Sequence, residues 1–108
     1  MASKIDIYMM FYLSDTITMA THFQSSLELI AKNLIHIESK KNLEDFLSDL
    51  LTPQEVVELA DRINIFKSLK KGKTQREIAQ DLGISVTTVN RWSRFLKHGT
   101  GAIDKFIR

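Results

Sequence analysis

Three histidines, His22, His36 and His98, stand too far apart for the i, i+4 spacing that presents a metal pair on one helix face, so each reads as a surface residue. The chain has no cysteine, which excludes a thiolate nucleophile, a cysteine-based zinc site and a disulfide framework. Glu55 and Glu58 share a helix face, but acids early in a helix are favoured by its dipole without any acid–base role. There is no glycine-rich phosphate cradle. These residues speak against an enzyme. The chemistry that remains is positive charge and side-chain hydrogen bonding, and both gather in one part of the chain. Residues 1–60 carry four lysines against nine acids, a balance of −5, whereas residues 61–108 carry eleven lysines or arginines against four acids, a balance of +7. The second part is a candidate polyanion-binding surface, with a merely solvated basic face as the plain alternative.

Within that basic part, residues 75–95 have the spacing of a helix-turn-helix. With Gln75 as first position, Ala79 is fifth, where two helices cross closely, and Gly83 is ninth, where a tight turn favours positive φ. Ile78, Leu82, Ile84, Val89 and Trp92 fill the positions that pack between the helices. An ordinary helical hairpin accounts for the apolar spacing, but not for Ala79 and Gly83 together with Ser85 as a cap. The helix after Ser85 is then the recognition helix, expected in the major groove of double-stranded DNA. Its outward residues are Val86, Thr87, Asn90 and Arg94. The Asn90 amide can read adenine, Thr87 can donate or accept, and Val86 or the Thr87 methyl can meet a thymine methyl. Arg76, Lys97 and Lys73 suit phosphates, and Gln75 and Thr88, close to the capped helix starts, complete the candidate DNA-contacting set. Lys67, Lys70 and Lys71 serve equally well as solubilising side chains.

Holding these residues calls for an all-α fold of five or six helices, and a chain with one proline and four glycines is suited to it. Phe23, Leu27, Ile30, Leu34 and Ile37 trace one face of a first helix, and after a polar break at residues 38–42, Leu43, Phe46, Leu47, Leu50 and Leu51 trace a second. Thr52-Pro53-Gln54-Glu55 is a capped start for a third, long helix whose face runs through Val56, Leu59, Ala60, Ile63, Phe66 and Leu69 to a stop at Gly72. Thr74 to Glu77 repeats the capping pattern for a fourth, Gly83 ends it, Ser85 caps the fifth, and Ala102 to Ile107 can form a last short one. Residues 21–108 read as a single domain. Ile5 to Leu13 is apolar apart from Asp6, yet shorter than the ~20 residues of a membrane span, and no cleavage site follows it. Met9, Met10 and Met19 are alternative starts, so residues 1–20 read as an N-terminal extension. No membrane association is expected, and a cytoplasmic setting agrees with the absence of cysteine. The apolar faces of the first three helices exceed what so small a monomer can cover, which predicts a homodimer.

The segment Leu50 to Lys97 resembles the Trp repressor family over nearly half the chain. The likeness is carried by the Leu-Thr-Pro helix start, Ala60 to Ile63, Gln75 to Glu77, and Thr88 with Arg91. It implies an intertwined dimer with projecting helix-turn-helix reading heads, and a repressor of tryptophan biosynthesis or transport genes with L-tryptophan as corepressor. By the same resemblance, Leu51 and Thr52 match the core-side wall of the corepressor pocket, Arg62 and Arg91 the two arginines that sandwich the indole, and Thr88 a neighbouring residue. Guanidinium planes stack on aromatic faces, so the pair is chemically apt, although Arg62 can also pair with a helix acid such as Glu58. Two positions depart: Trp92 stands where tryptophan-responsive members have glycine, and Phe95 where they have serine. The connection from Lys70 to Thr74 is also one residue shorter. A ligand-independent regulator whose Trp92 fills the pocket is therefore an alternative. The DNA-targeting part of a transposase-like enzyme is another, but after Lys97 only Asp104 is acidic, which leaves no metal-binding carboxylate cluster there.

Overall fold

A computed structural model describes residues 16–108, with side chains from Ala20 onward, and among these residues there are six helices. The described chain divides into two compact units, one up to Val56 and the other Val57–Arg108.

The first unit holds helix α1, Thr16–Leu34, and helix α2, Lys40–Leu50. Helix α1 begins inside the segment expected to be an extension, and residues 1–15 of that segment lie outside the described residues. It stops at Leu34, short of the predicted Ile37. The Ile37 N–H turns back to the Leu34 carbonyl at 3.1 Å, and Ile35 is left 85% exposed. Helix α2 begins earlier than its apolar pattern. Ser39 accepts a hydrogen bond from the Asn42 N–H at 3.0 Å, so Lys40 to Asn42, read as a break, form the first helical turn. Leu27, Leu29, Ile30 and Leu50 remain exposed in the single chain.

Helix α3, Pro53–Lys70, starts as expected. The Thr52 hydroxyl accepts from the Glu55 N–H at 3.2 Å, and the Glu55 carboxylate accepts from the Thr52 N–H at 2.9 Å. That second bond holds the Glu55 carboxyl below its usual pKa. The cap is therefore fully present above the ordinary carboxylate value and is lost as pH falls through the lowered one.

In the second unit α3 is followed by α4, Gln75–Leu82, α5, Val86–Lys97, and α6, Ala102–Phe106. The core is small: Ile65 of α3, Ile78 and Ala79 of α4, and Val89 of α5, with Leu69, Leu82, Ile84 and Trp92 packed against them. Ile65, Ile78 and Val89 are 0% exposed. Of the α3 face read from the sequence, Phe66 is buried, but Val56, Leu59 and Ile63 are exposed, and the residue at the centre of the core is Ile65. Lys70 donates to the Asp104 carbonyl at 2.6 Å, which ties α6 to the end of α3.

Helix α4 opens with a complete capping box between Thr74 and Glu77 and closes at Gly83, with φ 67° and ψ 33°. There the Ile84 N–H reaches back to the Ala79 carbonyl at 3.0 Å. A Cβ at Gly83 would meet no atom within 4 Å, so Gly83→Ala is opposed only by the left-handed backbone. The expected cost is about 1 kcal/mol, read as a lower urea midpoint with unchanged slope. An unchanged midpoint would mean that the turn does not hold this conformation in solution.

Candidate nucleic-acid interface

The inward face of α5 decides its outward one. Val89 is fully buried and Ser93 nearly so, which turns Val86, Thr87, Asn90, Arg94 and Lys97 to solvent along one side of the helix. Ser85 starts the helix by accepting from the Thr88 N–H at 3.1 Å. Helices α4 and α5 form the most extensive helix packing among the described residues, and Arg76 lies exposed in the first turn of α4. The first-turn amides of both helices that their caps do not use are further donors. This is a surface of backbone donors, guanidinium groups and an amide, suited to phosphates and base edges.

Two members of the sequence-derived set have partners inside the unit. Gln75 is half-buried, and its amide nitrogen donates to the Ser93 hydroxyl at 3.3 Å, bracing α4 against α5. Thr88 is half-buried, with its hydroxyl 2.8 Å from that of Ser85. Ser93 and its bond had no sequence signal, because a serine in an apolar face gives no hint of a partner eighteen residues away.

Lys73 differs from its expected role. Its ammonium group lies 2.7 Å from the Asp81 carboxylate, and that hydrogen bond, with the attraction between the charges, raises its pKa. The pair caps the charge that Lys73 could offer a phosphate. Asp81→Asn is expected to free Lys73, tighten DNA binding at low salt and steepen the salt dependence by about one unit of slope. An unchanged slope would place Lys73 away from the DNA backbone.

Beside the reading surface, Arg62 from α3 and Thr88, Arg91 and Trp92 from α5 line a cleft of about 220 Å³ with Glu58 and Asp61. The Arg62 guanidinium carbon sits 3.9 Å from the centre of the Trp92 ring. Trp92 and Phe95 lie 5.1 Å apart, tilted by 40°. The structure thus brings together three of the five residues matched to a corepressor pocket, along with Trp92, one of the two residues that depart from the pattern. The other two are in the first unit, where Leu51 lines a shallow apolar groove with Leu47 and Val56, and Thr52 caps α3.

The sequence profile of the Trp repressor protein family matches residues 25–108, which include α2 to α6 and most of α1. The chain belongs to the Trp repressor family. Its relatives include the Trp operon repressor homolog of Vibrio vulnificus strain YJ016, 36% identical over 78 residues that cover 71% of this chain and 72% of the relative. The Trp operon repressor homolog of Xylella fastidiosa strain M23 is 31% identical over 86 residues, 79% of this chain and 91% of the relative. YerC of Bacillus subtilis strain 168, whose name is that of an uncharacterized protein, is 35% identical over 71 residues, 63% and 68% of the two chains. No solved structure matches significantly. The family is one of DNA-binding regulators, and its all-helical fold agrees with the six helices seen here. Among the described residues no helix is long and apolar enough to cross a membrane, and no cluster of histidines and acids could hold a metal ion.

Proposed function

We propose that this protein is a sequence-specific, DNA-binding transcriptional repressor that acts as a homodimer. The observation that carries the reading is the exposed row Val86, Thr87, Asn90 and Arg94, held on a helix whose opposite side is locked by Val89 and Ser93. Such a helix presents base-reading groups along the major groove, and a dimer sets two of them against half-sites one or more helical turns apart. Relatives named Trp operon repressor homologs support genes of tryptophan biosynthesis or transport as the regulated set.

The dimer is supported by the apolar residues that a single chain leaves exposed, among them Leu27 and Ile30 on α1 and Leu59 and Ile63 on α3. Light scattering at micromolar concentration is expected to give twice the monomer mass; a monomer would contradict this part. The family resemblance further implies L-tryptophan as corepressor, held by Leu51, Thr52, Arg62, Thr88 and Arg91. The chain's own Trp92 stands against that part of the pattern.

Selection of duplexes from a random-sequence library by the purified protein tests the reading as a whole. The expected result is enrichment of a two-fold symmetric site. Retention without enrichment would leave only a basic surface, and magnesium-dependent strand cleavage would instead favour the transposase-like alternative.

A further inference from the structure

We infer that Trp92 is the resident indole of the cleft between α3 and α5, and that its clamp by Arg62, in place of a diffusible ligand, fixes the reading unit on α3. The inference rests on the DNA-binding reading and concerns how that surface is set.

Three surroundings hold the ring. The guanidinium of Arg62 lies over its face at 3.9 Å, and the Arg62 Nε is buried with no hydrogen-bond partner. A desolvated cation gains more from an aromatic face than a hydrated one, so the stack compensates for a donor withdrawn from water. Phe95 lies beside the ring at 5.1 Å. The ring also packs on the cluster of Ile65, Ile78, Ala79 and Val89, which joins α3, α4 and α5. One side chain of α5 is therefore bound at once to a charged residue of α3 and to the core beneath it. The remaining cleft of about 220 Å³ is smaller than the ~300–1,000 Å³ usual for small-molecule sites. An aromatic ligand stacking on the face of Arg62 that Trp92 covers would have to displace Trp92. Arg62 is thus a positioning residue that acts through Trp92.

The test uses the full-length protein dialysed free of tryptophan and the duplex it selects. Binding is followed by fluorescence anisotropy with and without L-tryptophan, and helicity by circular dichroism. The unaltered chain is expected to bind equally with and without L-tryptophan. Trp92→Gly should weaken binding roughly tenfold or more, with Trp92→Phe retaining most of it and added indole partly restoring the glycine variant. Strict dependence of the unaltered chain on L-tryptophan would overturn the inference, as would full affinity in a folded Trp92→Gly.

Should Trp92→Gly fail to fold, Arg62→Ala and Arg62→Lys carry the test. Trp92 is the sole tryptophan, so its emission reports the stack directly. Arg62→Ala is expected to make the indole more accessible to acrylamide and to weaken DNA binding, and Arg62→Lys to restore part of both; no change in either readout overturns the clamp. Failure of the DNA-binding reading looks different. No duplex would be selected with or without L-tryptophan while Arg62→Ala still exposed the indole, and the clamp would then lose the role given to it.

Discussion

Ile78→Ala is expected to destabilise the protein by about 2–5 kcal/mol, a large part of the ~5–15 kcal/mol that holds a typical domain together. Ile78 is fully buried at the point where α3, α4 and α5 meet, and with Ile65, Ala79 and Val89 it makes up most of the buried apolar core of its unit. A core this small has few neighbours that can relax into the cavity, so the cost should fall toward the upper part of that range. DNA binding should fail with it, because Val89 orients α5 through the same contacts. Ile63→Ala is the useful contrast. Ile63 is 48% exposed in the single chain, so its removal should cost the isolated fold little while weakening association of the proposed dimer. Urea unfolding at two protein concentrations separates the effects. An Ile78→Ala midpoint equal to that of the unaltered chain would contradict the packing described.

The second large effect is expected on recognition. Asn90→Ala should remove about 1–3 kcal/mol of discrimination at one base pair, leaving the salt dependence nearly unchanged. Arg76→Ala should weaken binding to all duplexes alike and lower the salt slope by about one. The difference follows from position: Asn90 lies on the exposed side of α5, and Arg76 in the first turn of α4. Anisotropy titrations against the selected duplex and a scrambled one, at several salt concentrations, measure both. Equal losses on every duplex for both variants would remove the assignment of roles.

The sequence showed most clearly what depends on local chemistry. The boxes at Thr52 with Glu55 and Thr74 with Glu77, the Ser85 cap and the left-handed Gly83 all form where residue type and spacing place them, since each is settled within a few residues. The assignment of faces was harder to read. Helix α3 carries Val56, Val57, Leu59, Ile63, Ile65, Phe66 and Leu69, which point in several directions, and periodicity cannot tell which side the chain itself covers. The face through Val56, Leu59 and Ile63 is exposed, while Ile65 holds the centre. Helix α1 differs from its apolar pattern at both ends: the pattern continues past the turn at Leu34 and starts after the first helical residues.

In the candidate site, the outward row of α5 followed from the motif alone. The grouping of Arg62, Thr88 and Arg91 followed only from the family resemblance, and the structure places them in one cleft. The stack of Arg62 on Trp92 was legible only through that resemblance, as the alternative in which Trp92 fills the pocket; spacing alone does not show it, since it joins residues thirty positions apart whose meeting depends on how α3 and α5 cross. The pairing of Lys73 with Asp81 was hidden for a like reason: it spans the length of α4, and a basic count treats both charges as free.

The most direct test of sequence-specific reading by α5 is an anisotropy titration of the selected duplex and a scrambled duplex of equal length, with tryptophan-free protein at near-physiological salt. The expected result is binding of the selected duplex at least a thousandfold tighter, in the range by which specific sites commonly exceed non-specific DNA, roughly 10³–10⁷. Equal affinity for the two duplexes, falling away together as salt is raised, would contradict it.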